Sequence, residues 1–111
     1  MDFPSPIRGT RINPSFAQGQ RLRHELYFDT GDGDRNLTLY NRLLGQRSQF
    51  EAAYGRPLDF EELPNARACR IAEYFAGADV GREDRHDEFI DWFVDAGERL
   101  RRGLSAVSID A

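Results

Sequence analysis

Hydrophobic and polar positions alternate most cleanly over residues 21–29. Leu22, His24, Leu26 and Phe28 fall on one side, and Arg23, Glu25, Tyr27 and Asp29 on the other. A period of two predicts a strand with one buried face. Residues 7–16 read as a rougher strand interrupted by Gly9 and Pro14, which suits a sheet edge. Residues 17–20 contain a glycine and join the two strands as a hairpin. The period then changes. Asp34 is placed as the N-cap of a helix over residues 34–54, Gly55 supplies a left-handed terminator, and Pro57 blocks continuation. Leu37, Tyr40, Leu43, Leu44, Phe50 and Tyr54 are assigned to its apolar face. Asn36, Arg47 and Glu51 lie within that face and are expected to form a buried polar network, because an unpaired buried charge is too costly.

The second half follows the same plan. Residues 58–63 are a short strand, 64–66 a turn, and 67–75 a better strand with Cys69, Ile71 and Phe75 opposite Arg70 and Tyr74. After a loop over 76–81, a helix over 82–102 carries Phe89, Phe93, Ala96 and Leu100 as its apolar stripe, with Trp92 beside them. Asp84, Glu88, Asp91, Asp95 and Glu98 line its other side, and Arg99, Arg101 and Arg102 follow, the order a helix dipole favours. The order ββαββα predicts an α+β fold, a small antiparallel sheet of about four strands with two long helices on one face. One domain over residues 1–111 is expected, with 1–6 and 104–111 extended or loosely ordered.

Composition removes several chemistries. All fifteen basic residues are arginine, which excludes lysine Schiff bases, a lysine general base and a P-loop. A codon bias toward arginine is the simpler explanation, and selection for planar bidentate donors the alternative. Cys69 is the sole cysteine, so no intrachain disulfide forms and no cysteine zinc site is complete. No metal or cofactor is expected. No apolar run reaches membrane-spanning length, and a cytoplasmic location follows as the default. The net charge of −4 does not favour a nucleic-acid partner, although a local arginine face could touch phosphate.

Few constellations carry chemistry. Leu26-Tyr27-Phe28-Asp29-Thr30-Gly31 mimics the aspartic-protease signature, but a long helix follows where that fold continues in β-structure. Asp29, Asp32, Asp34 and Asn36 mimic a calcium loop, but Leu37 and Leu43 stand where glycine and the bidentate glutamate are required. Acids at a helix N-terminus account for both. His24 sits on an apolar strand face and reads as a core histidine; His86 reads as exposed. No Ser-His-Asp or Cys-His arrangement is legible. The acidic stripe of the second helix reads as a solvated face that could dock a basic partner. Arg23, Glu25, Tyr27, Arg70 and Tyr74 make the best candidate binding patch, if their strands are neighbours. The patch could hold phosphate or carboxylate, or be a salt-bridged outer face. Glu25 or Glu51 acting as a hydrolytic base is a third reading.

The run through Phe3-Pro4-Ser5, Ser15-Phe16-Ala17-Gln18-Gly19, Arg23, Glu25-Leu26-Tyr27, Asp29-Thr30-Gly31-Asp32 and Asn36 continues in Gln46-Arg47, Glu51, Gly55, Pro57-Leu58, Glu61 and Leu63. It closes with Arg67-Ala68, Arg70-Ile71-Ala72, Tyr74 and Asp91-Trp92. In this pattern the chain resembles a bacterial domain of unknown function typically found C-terminal to a predicted RecB-like, restriction-type nuclease domain. Members of that family carry an apolar residue at the position of His24 and a serine at that of Cys69. The nuclease half is absent, as is a helical segment that normally precedes the first strand, so nuclease activity is not carried over. The resemblance implies a non-catalytic accessory module for nucleic-acid engagement, dimerisation or regulation. A homodimer or another protein partner is expected to cover the apolar surface left by the missing segment.

Overall fold

The computed structural model describes residues 3–63, 68–79 and 81–108. The hairpin forms as expected. β2 (Thr10–Ala17) and β3 (Arg21–Phe28) pair antiparallel from Thr10↔Phe28 to Ala17↔Arg21. The tight reversal between them needs positive φ at Gly19 and Gln20. A two-residue strand, β1 (Phe3–Pro4), pairs only with Arg11 and Ile12. Pro14 therefore lies where β2 has β3 as its only neighbour, and its missing N–H costs no ladder bond there.

β4 (Asp59–Leu63) and β5 (Ala68–Phe75) complete an antiparallel sheet of order β1-β2-β3-β5-β4. The expected turn at 64–66 and Arg67 lie outside the described residues. β5 inserts beside β3 in the register Leu22↔Phe75 to Phe28↔Cys69. The even positions of β3 and the odd positions of β5 thus share the inner face, which joins Leu26 and Phe28 to Cys69 and Ile71 in one core. The fold is α+β, four main strands plus β1, with the helices packed on that inner face.

The first helix is two helices, α1 (Gly33–Leu44) and α2 (Arg47–Tyr54), broken at Gly45. The Gln46 side chain fixes the break by bonding both backbone groups of Ser108, at 2.7 and 2.8 Å. The N-cap is Asp32 rather than Asp34, its Oδ1 accepting from the N–H groups of Asp34 (2.9 Å) and Arg35 (3.4 Å). Gly55 terminates α2 at φ 95°, as expected. Leu37 and Leu44 do not join the apolar face; both are exposed, and Leu39 is buried instead. At about 100° per residue, Leu37 falls roughly 120° round α1 from the buried Leu43, toward solvent.

α3 (His86–Ser105) starts later than expected, after a 3₁₀ turn at Glu83–Arg85. It buries Phe89, Trp92, Ala96, Leu100, Gly103 and Leu104, with Phe93 at the margin. The tail tightens accordingly: Leu104 is core and Val107 packs against it, so residues 104–107 are part of the packed structure. No helix of the described residues is long and apolar enough to cross a membrane.

Candidate functional site

The alternation that buries Leu22 and Leu26 sends Arg21, Arg23, Glu25 and Tyr27 to the outer face, opposite the core. The register then assembles the candidate patch. Arg23 lies opposite Tyr74, Tyr27 opposite Arg70, and Glu25 opposite Ala72 and Asn13. Glu25 is the pivot, only 2% exposed although its face of the sheet is open. Its Oε1 accepts from Asn13 Nδ2 at 3.0 Å, and its Oε2 sits 3.3 Å from Arg23 Nε and 3.5 Å from Arg70 Nη1. The Arg23 contact is an ion pair without hydrogen-bond geometry, so both of its atoms are buried and unbonded.

β4 adds Glu61, which strand parity alone does not bring here. Its Oε1 lies 3.3 Å from Arg70 Nε, and its Oε2 accepts from the Tyr74 hydroxyl at 2.6 Å. Burial and Glu61 together raise the Tyr74 pKa. The Arg70 pKa is also raised: burial opposes the charge, and Glu61, Tyr74 and Glu25 overcome it. Arg21, absent from the expected patch, stacks on the Tyr74 ring at 4.3 Å and donates to the Gln18 carbonyl at 3.0 Å. Arg21, Arg23, Arg70 and Tyr74 line an open cup of about 650 Å³, whereas Tyr27 and Glu25 do not. The strand parity of Arg21 is readable in the sequence; the adjacency of β4 to β5 is not.

A second polar cluster lies inside, on the helix side of the sheet. Glu73 accepts from Tyr54 Oη at 2.5 Å, Arg99 Nη2 at 2.7 Å and Arg56 Nη1 at 3.1 Å. Burial favours its neutral form, but the bonds from Tyr54 and Arg99 outweigh that and hold the carboxyl below its ordinary value. Burial lowers His24, its neighbour across the strands, to about 4, with Glu73 partly opposing and Arg99 reinforcing. His24 is thus a buried, neutral core histidine, as expected. A glutamate on the same parity as Cys69, Ile71 and Phe75 is the sequence signal for this cluster.

The expected network of Asn36, Arg47 and Glu51 is two separate sites, and only Asn36 is buried. Asn36 Oδ1 accepts from the N–H and hydroxyl of Thr30 at 2.7 and 2.8 Å, which closes the Asp-Thr-Gly turn onto α1. Arg47 is half exposed, pairs with Glu51 at 3.2 Å and donates to the Leu58 carbonyl at 3.0 Å. Glu51 accepts from the Leu58 N–H at 2.7 Å. This pair clamps the chain as it leaves α2. Glu25 and Glu51 are both committed to donors. Cys69 is buried with a raised thiol pKa, from burial first and Glu62 second, which disfavours the reactive thiolate. Among the described residues no group of three His, Cys, Asp or Glu side chains is placed to hold a metal ion.

An apolar concavity of about 770 Å³ runs between β2 and α3. Ile12 and Pro14 form one wall, and Ile90, Phe93, Val94 and Gly97 the other. Ile90 and Val94 are 57% and 59% exposed, high for large apolar side chains on a helix that already buries another face.

No curated protein and no solved structure matches this chain. A family model described as Domain of unknown function (DUF4268) matches residues 1–107. With a match over nearly its whole length, and with the α+β sheet and its paired outer face now described, the chain belongs to the DUF4268 family.

Proposed function

We propose that this chain is a non-catalytic accessory domain that acts by binding other protein chains, and that it self-associates through α3. The observation carrying this reading is a second apolar stripe on that helix. Phe89, Trp92, Ala96, Leu100 and Leu104 face the core, while Ile90, Val94, Gly97 and Arg101 recur at spacings of four and three along the groove. That spacing is the seam of a helix pair. Charge order supports a second copy as the occupant. Asp87, Asp91 and Asp95 precede Arg101 and Arg102, so two copies of α3 packed antiparallel about a two-fold axis set acids against arginines. The resemblance to modules that accompany predicted nuclease domains supports the accessory role, and a single buried cysteine suits the reducing cytoplasm.

Light scattering coupled to size exclusion tests the proposal. The wild-type chain is expected at twice the chain mass, and Val94→Glu, which buries a carboxylate in the seam, at the single mass with unchanged circular dichroism. A wild-type monomer at the highest soluble concentration would overturn it. So would a dimer indifferent to Val94→Glu.

A further inference from the structure

The outer sheet face holds a feature that self-association through α3 does not use. Four arginines, Arg21, Arg23, Arg47 and Arg70, and two carboxylates, Asp59 and Glu61, line the cup beside Tyr74. The lining holds two more arginines than carboxylates, and Glu25 and Glu51, which pair with Arg23, Arg70 and Arg47 without lining the cup, offset that excess. The six are not equally committed. Arg70 is held by Glu61 and Glu25, and Arg47 by Glu51 and the Leu58 carbonyl. Arg21 has no carboxylate partner among the described residues; it rests on the Tyr74 ring and the Gln18 carbonyl. The carboxylate contact of Arg23 is the one to Glu25, which lacks hydrogen-bond geometry.

A second observation points to the same place. Of the four buried side-chain atoms without a hydrogen bond among the described residues, three are Ser15 Oγ, Arg23 Nε and Glu25 Oε2. Ser15 and Arg23 are cross-strand partners, and Glu25 is two residues further along β3. Unbonded buried polar atoms are costly and rarely cluster in a finished hydrogen-bond network. Arg23 also reaches the Tyr74 hydroxyl, itself part of the cup, and its Nε makes no hydrogen bond that an incoming anion would displace. Glu25 keeps Asn13 and Arg70 as its partners.

We propose that this cup binds a phosphoryl oxyanion between the guanidinium groups of Arg21 and Arg23. Two planar forks on one strand parity, spaced by one intervening residue, suit bidentate contact with an oxyanion. Arg70 and Tyr74, fixed by Glu61, form the rigid floor against which the anion sits. The same chemistry is offered by a small phosphate ester and by the backbone of a nucleic-acid strand.

Calorimetric titration with inorganic pyrophosphate and with a single-stranded oligonucleotide, each at low and high salt, tests this. Wild-type protein is expected to bind at low salt. Arg21→Gln and Arg23→Gln are each expected to weaken binding about tenfold or more, as loss of a charge-assisted bond implies. Arg35→Gln, an exposed change on α1, is expected to leave binding unchanged. Pyrophosphate binding alone assigns a small phosphate ester. Oligonucleotide binding, with an affinity that falls steeply with salt, assigns a strand backbone. Failure of both probes at low salt overturns the site, as does binding that survives both Arg21→Gln and Arg23→Gln. None of these outcomes depends on whether the chain is a dimer.

Discussion

Replacing Glu73 with glutamine should unfold this protein more readily than any substitution on its surface. The carboxylate collects three donors on the core side of the sheet, and its tightest charged partner, Arg99, is as hidden as it is, with side-chain exposures of 12% and 10%. Removing the charge strands the Arg99 guanidinium, whose Nε already lacks a partner. Breaking one side of a buried pair typically costs about 3–5 kcal/mol. The amide retains some bonding to Tyr54, so about 3 kcal/mol is expected here. Trp92, the sole tryptophan and a core residue, reports unfolding by fluorescence. With a urea m-value of about 1.5 kcal/mol/M for a chain of this size, the midpoint should fall by roughly 2 M. Tyr54→Phe removes a single donor to a charged group and should cost about half as much. Arg56 is 55% exposed, so Arg56→Gln should cost less than about 1 kcal/mol. A Glu73→Gln loss no larger than that of Arg56→Gln would show that the cluster is screened by solvent and refute the argument.

Two further outcomes test the packing. His24 stays neutral in the folded state down to about 4, against an ordinary value of 6.5, so the unfolded chain takes up a proton first as the pH falls. Stability should therefore be full above 6.5 and fall by roughly 3 kcal/mol as the pH drops to about 4. Denaturation curves across that window should flatten in His24→Leu; an unchanged slope would assign the loss to other groups. Gly103 sits on α3 where a Cβ would stand 2.6 Å from Phe50 Cε1, and Phe50 is fully buried. Gly103→Ala should destabilise by about 1–2 kcal/mol, overpacking outweighing the gain in helix propensity, and a midpoint at or above wild type would show that the ring yields.

The outer patch shows how far residues carry a site. The parity of Arg23, Glu25 and Tyr27 alone puts them on one face, because a strand's side chains can only alternate. Which residues sit beside them is a matter of pairing. Placing β5 next to β3 brings Arg70 and Tyr74 in, and placing β4 outside β5 brings Glu61 to tie both down. Tyr27 shares the face but not the cup, a distinction that alternation does not encode. Glu73 reverses the lesson. Its parity places a charge in the core, which is tolerable only because α2 and α3 bring Tyr54 and Arg99 to meet it.

Local pattern by itself determined the four main strands, the αL stop at Gly55, the core setting of His24 and the α+β class, since each follows from periodicity or from a backbone angle that few residues adopt. It did not determine the break at Gly45, which depends on Gln46 reaching Ser108 across the chain. Nor did it separate the two apolar stripes of α3. Both are present in the sequence of that helix, and only the packed sheet decides which one is covered and which stays exposed.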